Sequence, residues 1–389
     1  MEQPEGFKVK GQEHKVLRLK RAIYGLKQAA LQWWKALDKS MAEIGFRRLV
    51  SDAGLFVLDG PTGPSVIVIV YVDDAVFIGP SDQDVSNAKA RFMCKWECRD
   101  MGPTKEFLRM WFHVHNGFIA LEQKDYLMKV LERFNMQNAK SAQTPLPSGY
   151  MPTPYTGPVD EKLRNRYQQL IGSLLYLMLG TRPDIAFAVT KMSQFAANPT
   201  EEHFNKALYI CHYLVGTADY DLQYKRSGNG LMAYADADWG SDNKSRHSIT
   251  GNLVMLADGA ISWTSKAQKT IALSSTEAEY MSLSDATRQL VWIHSLLGEL
   301  KLPVKSIPLC GDNQGAIFTA ANAVTEKRTK HIDIRYHYIR EVIDKGIVSL
   351  YYVDTNNNPA DMLTKNLARD KFLTCRKTLG LLFFGSGAR

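Results

Sequence analysis

This chain of 389 residues predicts an α/β architecture divided over two or three domains. Three observations carry that expectation. The length exceeds what a single core usually organises. Apolar residues make up 45% and charged residues 23%, a composition of packed globular structure rather than disorder. Hydrophobic patterning alternates between the helix and the strand repeat, with a Pro-rich interruption near the middle.

Residues 1–142 mix both patterns. Gln28–Ile44 reads as an amphipathic helix, and Val66–Gly79 as a hairpin of two apolar runs, Val66–Val70 and Ala75–Ile78, turning at Asp73-Asp74. Asp125–Phe134 reads as another helix. The window 143–160 holds Pro145, Pro147, Pro152, Pro154 and Pro158 with Gly149 and Gly157, the composition of a linker or an extended crossing. Residues 161–228 read as mostly helical, with Pro183 at the first position of one helix and Pro199 just before another.

From 229 to 370 the order is β-β-β-α-β-α. Leu231–Asp236 is the first strand, and Asn252–Leu256 with Ala260–Thr264 form a hairpin around Asp258-Gly259. Ser274–Leu297 is a long helix, Ile307–Cys310 a buried strand, Gln314–Ala321 and His331–Ile343 helices, and Val348–Val353 the last strand. Mixed strands followed by alternating helices imply an α/β layer fold. Residues 371–389 are expected as a C-terminal tail. No internal repeat is found.

The formal net charge is +8 and the pI about 9.0, which suits a polyanionic partner such as nucleic acid. The longest apolar stretch, Val66–Val72, is too short to span a bilayer, so no membrane association is expected. Met1–His14 is polar and does not read as a signal peptide. Cys94, Cys98, Cys211, Cys310 and Cys375 include no CxxC pair and read as reduced thiols. Cys94 and Cys98 followed by His113 and His115 are a poor zinc box, because the cysteines lie one helical turn apart.

Tyr71-Val72-Asp73-Asp74 is the most informative run. Two adjacent acids at a hairpin tip repel one another and call for a counter-cation, and a hard divalent metal is the natural one. A polymerase holds two such ions roughly 4 Å apart on carboxylates fixed against a primer terminus. The plainer reading is a polar turn, since Asp favours turns.

Met1–Phe7 (MEQPEGF), Leu19–Trp34 with its core Tyr24-Gly25-Leu26-Lys27-Gln28, Tyr71–Asp74, Tyr167–Ala188 and Ala235–Trp239 (ADADW) follow one another in order. Together they resemble the polyprotein of copia-type LTR retrotransposons over nearly the whole chain. The resemblance implies an incomplete reverse transcriptase palm over 1–142, a helical thumb or connection over 161–228 and a ribonuclease H-like α/β domain over 229–370. It implies RNA-directed DNA synthesis in the parent element, with Asp73 and Asp74 as metal-binding catalytic carboxylates and Lys27 and Gln28 beside template and incoming nucleotide. It also implies hydrolysis of RNA in RNA–DNA hybrids by four carboxylates: Asp236 in Tyr-Ala-Asp, Glu277 in Ser-Thr-Glu-Ala-Glu-Tyr, Asp312 in Gly-Asp-Asn-Gln and Asp361 in Asn-Pro-Ala-Asp. The implied cofactor is Mg2+, two ions per active site, with Mn2+ as a substitute. The implied partners are the RNA–DNA hybrid, the template-primer and other parts of the polyprotein. The expected compartment is the cytoplasm, within a virus-like particle of the parent element, with the nucleus as the second.

Each hydrolytic acid also has a structural reading. Asp238 shares a strand face with Asp236 and competes with it as ligand. Glu277 completes a Ser274-x-x-Glu277 capping box. Asp312 is placed to cap the next helix, and Asp361 follows Pro359 in a similar setting. Lys327, Arg328, Lys330 and Arg335 read as a basic helix facing a phosphate backbone, rather than as a metal site through His331 and His337. Trp33-Trp34 reads as a packed helix face, with base stacking as the alternative.

Two departures from the family pattern stand out. Its first polymerase aspartate lies upstream of MEQPEGF, so this chain by itself is expected to polymerise poorly. Arg109 stands where the family carries glycine at a tight turn, and an Arg at positive φ is strained. A catalytically inactive relic or a co-opted nucleic-acid-binding protein is therefore the competing expectation.

Overall fold

The computed structural model describes residues 1–61, 63–226, 228–240, 246–302, 304–322 and 338–384. The chain divides into two compact units, Met1–Gly102 with Leu296–Leu302, and Pro103–Ser295 with Pro303–Arg389. The boundaries expected at 142 and 228 both fall inside the second unit.

In the first unit, helix α1 (Ala29–Glu43) precedes four strands, β1 (Arg47–Arg48), β2 (Leu55–Asp59), β3 (Pro64–Tyr71) and β4 (Asp74–Ile78), and helix α2 (Asp82–Met93). The strands pair antiparallel in sequence order. Leu37 and Met41, four apart on α1, pack with Phe56, Val66, Val68 and Ala88, the spacing that puts side chains on one helix face and one sheet face. Ser81 caps α2, accepting the Asp84 N–H at 3.2 Å. Trp33 packs edge-on against Trp96, ring centroids 4.9 Å apart, while 39% of it stays exposed, and Trp34 lies under the Arg48 guanidinium at 5.1 Å.

The hairpin carrying the paired acids turns one residue earlier than expected. Tyr71 pairs with Asp74, so the turn is Val72-Asp73 and Asp74 opens β4. Val72 has φ 55°, a left-handed conformation that a β-branched residue adopts only under strain.

The second unit holds two five-stranded sheets and most of the helices. One sheet contains β5 (Glu106–Phe107), β6 (Met110–His115), β7 (Phe118–Glu122), β8 (Tyr220–Lys225) and β14 (Leu381–Phe383), ordered β14-β8-β7-β6-β5 and antiparallel. The same unit contains α3 (Lys124–Arg133), α4 (Glu161–Gly180), α5 (Ala186–Ser193) and α6 (Glu201–Val215), of which α4, α5 and α6 pack on one another. Pro183 opens a short 3-10 turn, Pro183–Ile185, ahead of α5. The other sheet contains β9 (Met232–Asp238), β10 (Ile249–Leu256), β11 (Gly259–Ala267), β12 (Ile307–Gly311) and β13 (Val348–Tyr352), ordered β11-β10-β9-β12-β13. Its first three strands are antiparallel and β12 joins β9 and β13 in parallel. With α7 (Ser275–Glu299), α8 (Gln314–Ala321), a helical stretch at 338–344 (α9) and α10 (Arg369–Thr378), this realises the expected β-β-β-α-β-α order.

One core joins these layers. Tyr167, Leu174 and Leu177 of α4 and Ile210 of α6 pack in the same cluster as Leu253, Leu363, Phe372 and Leu381. The expected tail is therefore structural. Phe372, Cys375 and Leu379 are buried, and Leu381–Phe383 adds an edge strand to β8. The Pro-rich window has no regular element, but Leu146 within it is buried in that core.

A polar network lies beneath α4 and α6. Arg182 donates from Nε to Asp184 Oδ1 at 3.0 Å and from a terminal nitrogen to Oδ2 at 2.7 Å. It also donates to the Thr217 carbonyl and hydroxyl. The Tyr213 hydroxyl donates to Asp184 at 2.6 Å and accepts from Arg376 at 3.2 Å.

Two further turns depart from expectation. The β10–β11 turn is Ala257-Asp258, at φ 56° and 61°, while Gly259 already pairs with Leu256. A side chain at Gly259 would meet the Gln223 carbonyl oxygen at 2.5 Å, so this glycine serves close packing rather than the turn. Between β5 and β6, Leu108 and Arg109 have φ 53° and 60°. A left-handed non-glycine residue costs about 1–2 kcal/mol, and glycine returns part of that as unfolded-state entropy, about 0.5–1 kcal/mol. Arg109→Gly should thus raise unfolding stability by up to about 1 kcal/mol, read from the urea midpoint. A lowered midpoint would show that the arginine side chain contributes more than its backbone costs.

Candidate active site

The site is built at the end of β9. Along this strand Ala233, Ala235 and Ala237 are buried on one face, while Asp236 and Asp238 share the other. Asp236 is 1% exposed. Opposite it in the ladder stands Gly251, where a Cβ would come within 2.6 Å of the Thr364 methyl and 3.0 Å of the Ala360 carbonyl oxygen. This glycine lets the 3-10 turn Pro359–Leu363 lie directly on the sheet. Buried Asn358 pins that turn, donating to the Ala235 carbonyl at 3.0 Å and accepting the Ala360 N–H at 3.1 Å. Thr364 then donates its hydroxyl to Asp236 Oδ2.

Helix α7 supplies the second acid. Ser282 donates to the Asp236 carbonyl at 2.8 Å, anchoring the helix to β9. Glu279, one turn earlier, is 8% exposed. Asp312 follows β12. Carboxylate oxygens of Asp236, Glu279 and Asp312 lie within 4.8 Å of one another, and this is the metal-competent acidic group among the described residues. Burial first, then repulsion from Asp361 and Asp312, pushes Asp236 up to about 7, with Lys365 opposing. Glu279 is pushed up to about 9 by burial and then by Asp236 and Asp312. Three crowded carboxylates, two of them buried, suit a hard divalent cation with oxygen ligands.

Glu277, the expected α7 ligand, is not in this group. Its carboxylate accepts the Leu273 N–H at 2.8 Å, and its own N–H donates to Ser274 Oγ at 3.1 Å. It closes the start of the helix as a capping residue, two residues before the acid that joins the cluster. Asp312 is free of the capping role, because Asn313 takes the Ala316 N–H at 2.9 Å. Asp361 is fully buried but pairs with Lys365 at 3.1 Å and with Lys371, so it borders the trio instead of belonging to it. Beside the site, Trp239 keeps a half-exposed ring while its indole N–H holds the Ala272 carbonyl at 3.1 Å.

Comparison with known proteins identifies the family. The family model described as reverse transcriptase (RNA-dependent DNA polymerase) matches residues 1–148. The Pol polyprotein of transposon TNT 1-94 from Nicotiana tabacum is 39% identical over 98% of this chain and 29% of its own length. That of transposon RE1 from Arabidopsis thaliana is 37% identical, again over 98% of this chain and 26% of its own. The putative transposon Ty5-1 protein of Saccharomyces cerevisiae is 32% identical, with 94% of its length covered. The chain belongs to the copia-type retrotransposon Pol family. It spans less than a third of the length of the tobacco and Arabidopsis polyproteins.

Among solved structures, LC11-RNase H1 isolated from compost aligns with TM-score 0.29 and 17% identity, over 37% of this chain and 99% of that one. The foamy viral protease-reverse transcriptase in complex with double-stranded DNA aligns with TM-score 0.42 and 10% identity, over 84% of this chain and 49% of that one.

Four of the remaining expected site residues of this copia-type chain belong to the first unit. Asp73 and Asp74 are exposed at the hairpin tip in the first unit, and Lys27 and Gln28 are exposed where α1 begins. Lys327, Arg328, Lys330 and Arg335 lie outside the described residues. No described helix is long and apolar enough to cross a membrane.

Proposed function

We propose that the copia-type chain hydrolyses the RNA strand of RNA–DNA hybrids at Asp236, Glu279 and Asp312, with Asp361 completing the site. The supporting observation is the convergence of three carboxylates from a strand, a helix and a post-strand turn to within 4.8 Å. For the Val72-Asp73-Asp74 hairpin we propose a share in RNA-directed DNA synthesis by the parent polyprotein, in keeping with the family match over residues 1–148. Template-primer and hybrid are the proposed partners.

Asp236, Glu279 and Asp312 would hold divalent metal, Mg2+ or Mn2+, which when bound supplies an activated water and neutralises charge on the phosphate. The chain's own contribution is rigidity. Thr364 and Ser282 fix Asp236 from its side chain and its backbone, and Asn358 fixes the turn that carries Asp361. Preset carboxylates spend no free energy on reorganisation when a phosphate arrives. Recognition by backbone shape and 2′-hydroxyl contacts, rather than by base sequence, suits such a hydrolase.

Mg2+-dependent cleavage of labelled RNA in a hybrid by the purified chain tests this reading, with Asp312→Asn as the control. Loss of cleavage in the variant is the expected result. A folded wild-type chain that binds hybrid without cutting it would favour a binding protein.

The raised acids also set a pH dependence. Their folded-state values, about 7 and about 9, exceed the ordinary carboxylate range of roughly 4. Their stability contribution is complete below that range and is lost as pH rises through the folded values. The metal-free chain should therefore melt at progressively lower temperature from pH 6 to pH 9. Added Mg2+ should raise the melting temperature by an increment that grows with pH, since binding releases protons. An increment independent of pH would place the metal elsewhere.

A further inference from the structure

The turn that carries Asp361 to the cluster also carries a cation. The Lys365 N–H bonds the Asp361 carbonyl at 3.2 Å, and its ammonium lies 3.1 Å from Asp361 Oδ1 and 3.6 Å from Asp236 Oδ2. Both aspartate side chains are buried, whereas 36% of the Lys365 side chain remains exposed. The other Asp361 oxygen pairs with Lys371, which is held in turn by the Thr355 carbonyl at 2.8 Å. Lys365 is therefore the cation that meets Asp361 Oδ1 on the side facing Asp236.

Charge distribution separates two positions in the site. Asp361 is flanked by two ammonium groups and is already neutralised. Asp236, Glu279 and Asp312 together offer up to three formal charges once metal displaces their protons, and among the described residues Lys365 is the ammonium paired with one of them. A divalent ion is drawn to the trio. A second ion between Asp236 and Asp361 would meet the Lys365 ammonium at contact distance, where like charges repel strongly in a poorly hydrated setting.

Building on the metal-dependent reading of the cluster, we propose that Lys365 is a positioning residue standing in for a tightly bound second metal. The chain takes one divalent cation tightly on Asp236, Glu279 and Asp312. The place beside Asp361 fills weakly, and only when the partly exposed Lys365 side chain turns outward.

The test is Mn2+ binding to the full chain, with bound ions counted by calorimetry and by electron paramagnetic resonance of free Mn2+, for wild type, Lys365→Met and Lys365→Arg. Wild type should bind one ion tightly and a second at least about tenfold more weakly. Lys365→Met should tighten the second ion by about tenfold or more, and Lys365→Arg should keep the wild-type pattern. Two tight ions on wild type, or an unchanged profile in Lys365→Met, overturns the role of Lys365 while leaving the metal reading intact. No Mn2+ on wild type overturns both. Two tight ions on wild type overturn the proposal even if Lys365→Met fails to fold, and Lys365→Gln then supplies the neutral variant.

Discussion

Glu279→Gln should abolish metal-dependent cleavage of RNA–DNA hybrid, by about a thousandfold or more, while Glu277→Gln stays within about threefold of wild type. A thousandfold corresponds to ~4 kcal/mol of transition-state stabilisation, a reasonable loss when one of three converging anionic ligands becomes a neutral amide. The two glutamates lie two residues apart on one helix, so the same substitution is made twice in one local sequence. What differs is position. Glu279 lies in the carboxylate cluster, and Glu277 closes the helix end on Leu273. The Glu277 variant should instead lose stability, by about 0.5–2 kcal/mol for a weakened cap. Parallel measurement of cleavage and of urea midpoints separates the roles. Loss of cleavage in Glu277→Gln with Glu279→Gln active would return the catalytic role to the capping residue.

That pair also shows where reading the sequence runs short. Ser274-Ser275-Thr276-Glu277-Ala278-Glu279 offers two acids, and the capping-box pattern already accounted for the first of them, which was the available signal for choosing the second. Which of the two reaches β9 depends on how α7 is pinned, and Ser282 on the Asp236 carbonyl is a tertiary contact without a local signature. Asp236 over Asp238 was undecidable from period-two alternation, because both occupy one face; depth against the 359–364 turn separates them. Element order was legible because the apolar runs of strands such as β3 and the uninterrupted length of α7 stand out from the turns between them. The turns slipped by one residue where the expected turn dipeptide was occupied otherwise: Asp74 pairs in β4 and Gly259 packs against β8. Domain boundaries were the least legible, since composition marks the Pro-rich window but says nothing of Leu146 entering the core. The ion pairs of Lys365 and Lys371 with Asp361 likewise depend on a turn folding back on its own acid, which spacing alone does not announce.

The largest effect on stability is expected at Arg182. Arg182→Met should destabilise the second unit by about 3–5 kcal/mol, because it leaves the Asp184 carboxylate buried without its cation. The Arg182 and Asp184 side chains are 3% and 0% exposed, and their pairing is bidentate, a geometry that lysine does not reproduce. Tyr213 and Thr217 add hydrogen bonds from α6 and the turn after it, so the network ties the Thr181-Arg182-Pro183-Asp184 segment to α6. Arg376 reaches the same tyrosine from α10, which extends the tie to the C-terminal helix beside the carboxylate turn. Loss of the guanidinium should therefore also depress hybrid cleavage, through loosening of that turn and not through any contact with substrate. The double variant Arg182→Met/Asp184→Leu should recover much of the lost stability, since removing both ions also removes their desolvation penalty. Urea unfolding of the two singles and the double measures the coupling directly. Single variants within about 1 kcal/mol of wild type, the scale of an exposed ion pair, would show that the network is hydrated and contributes little.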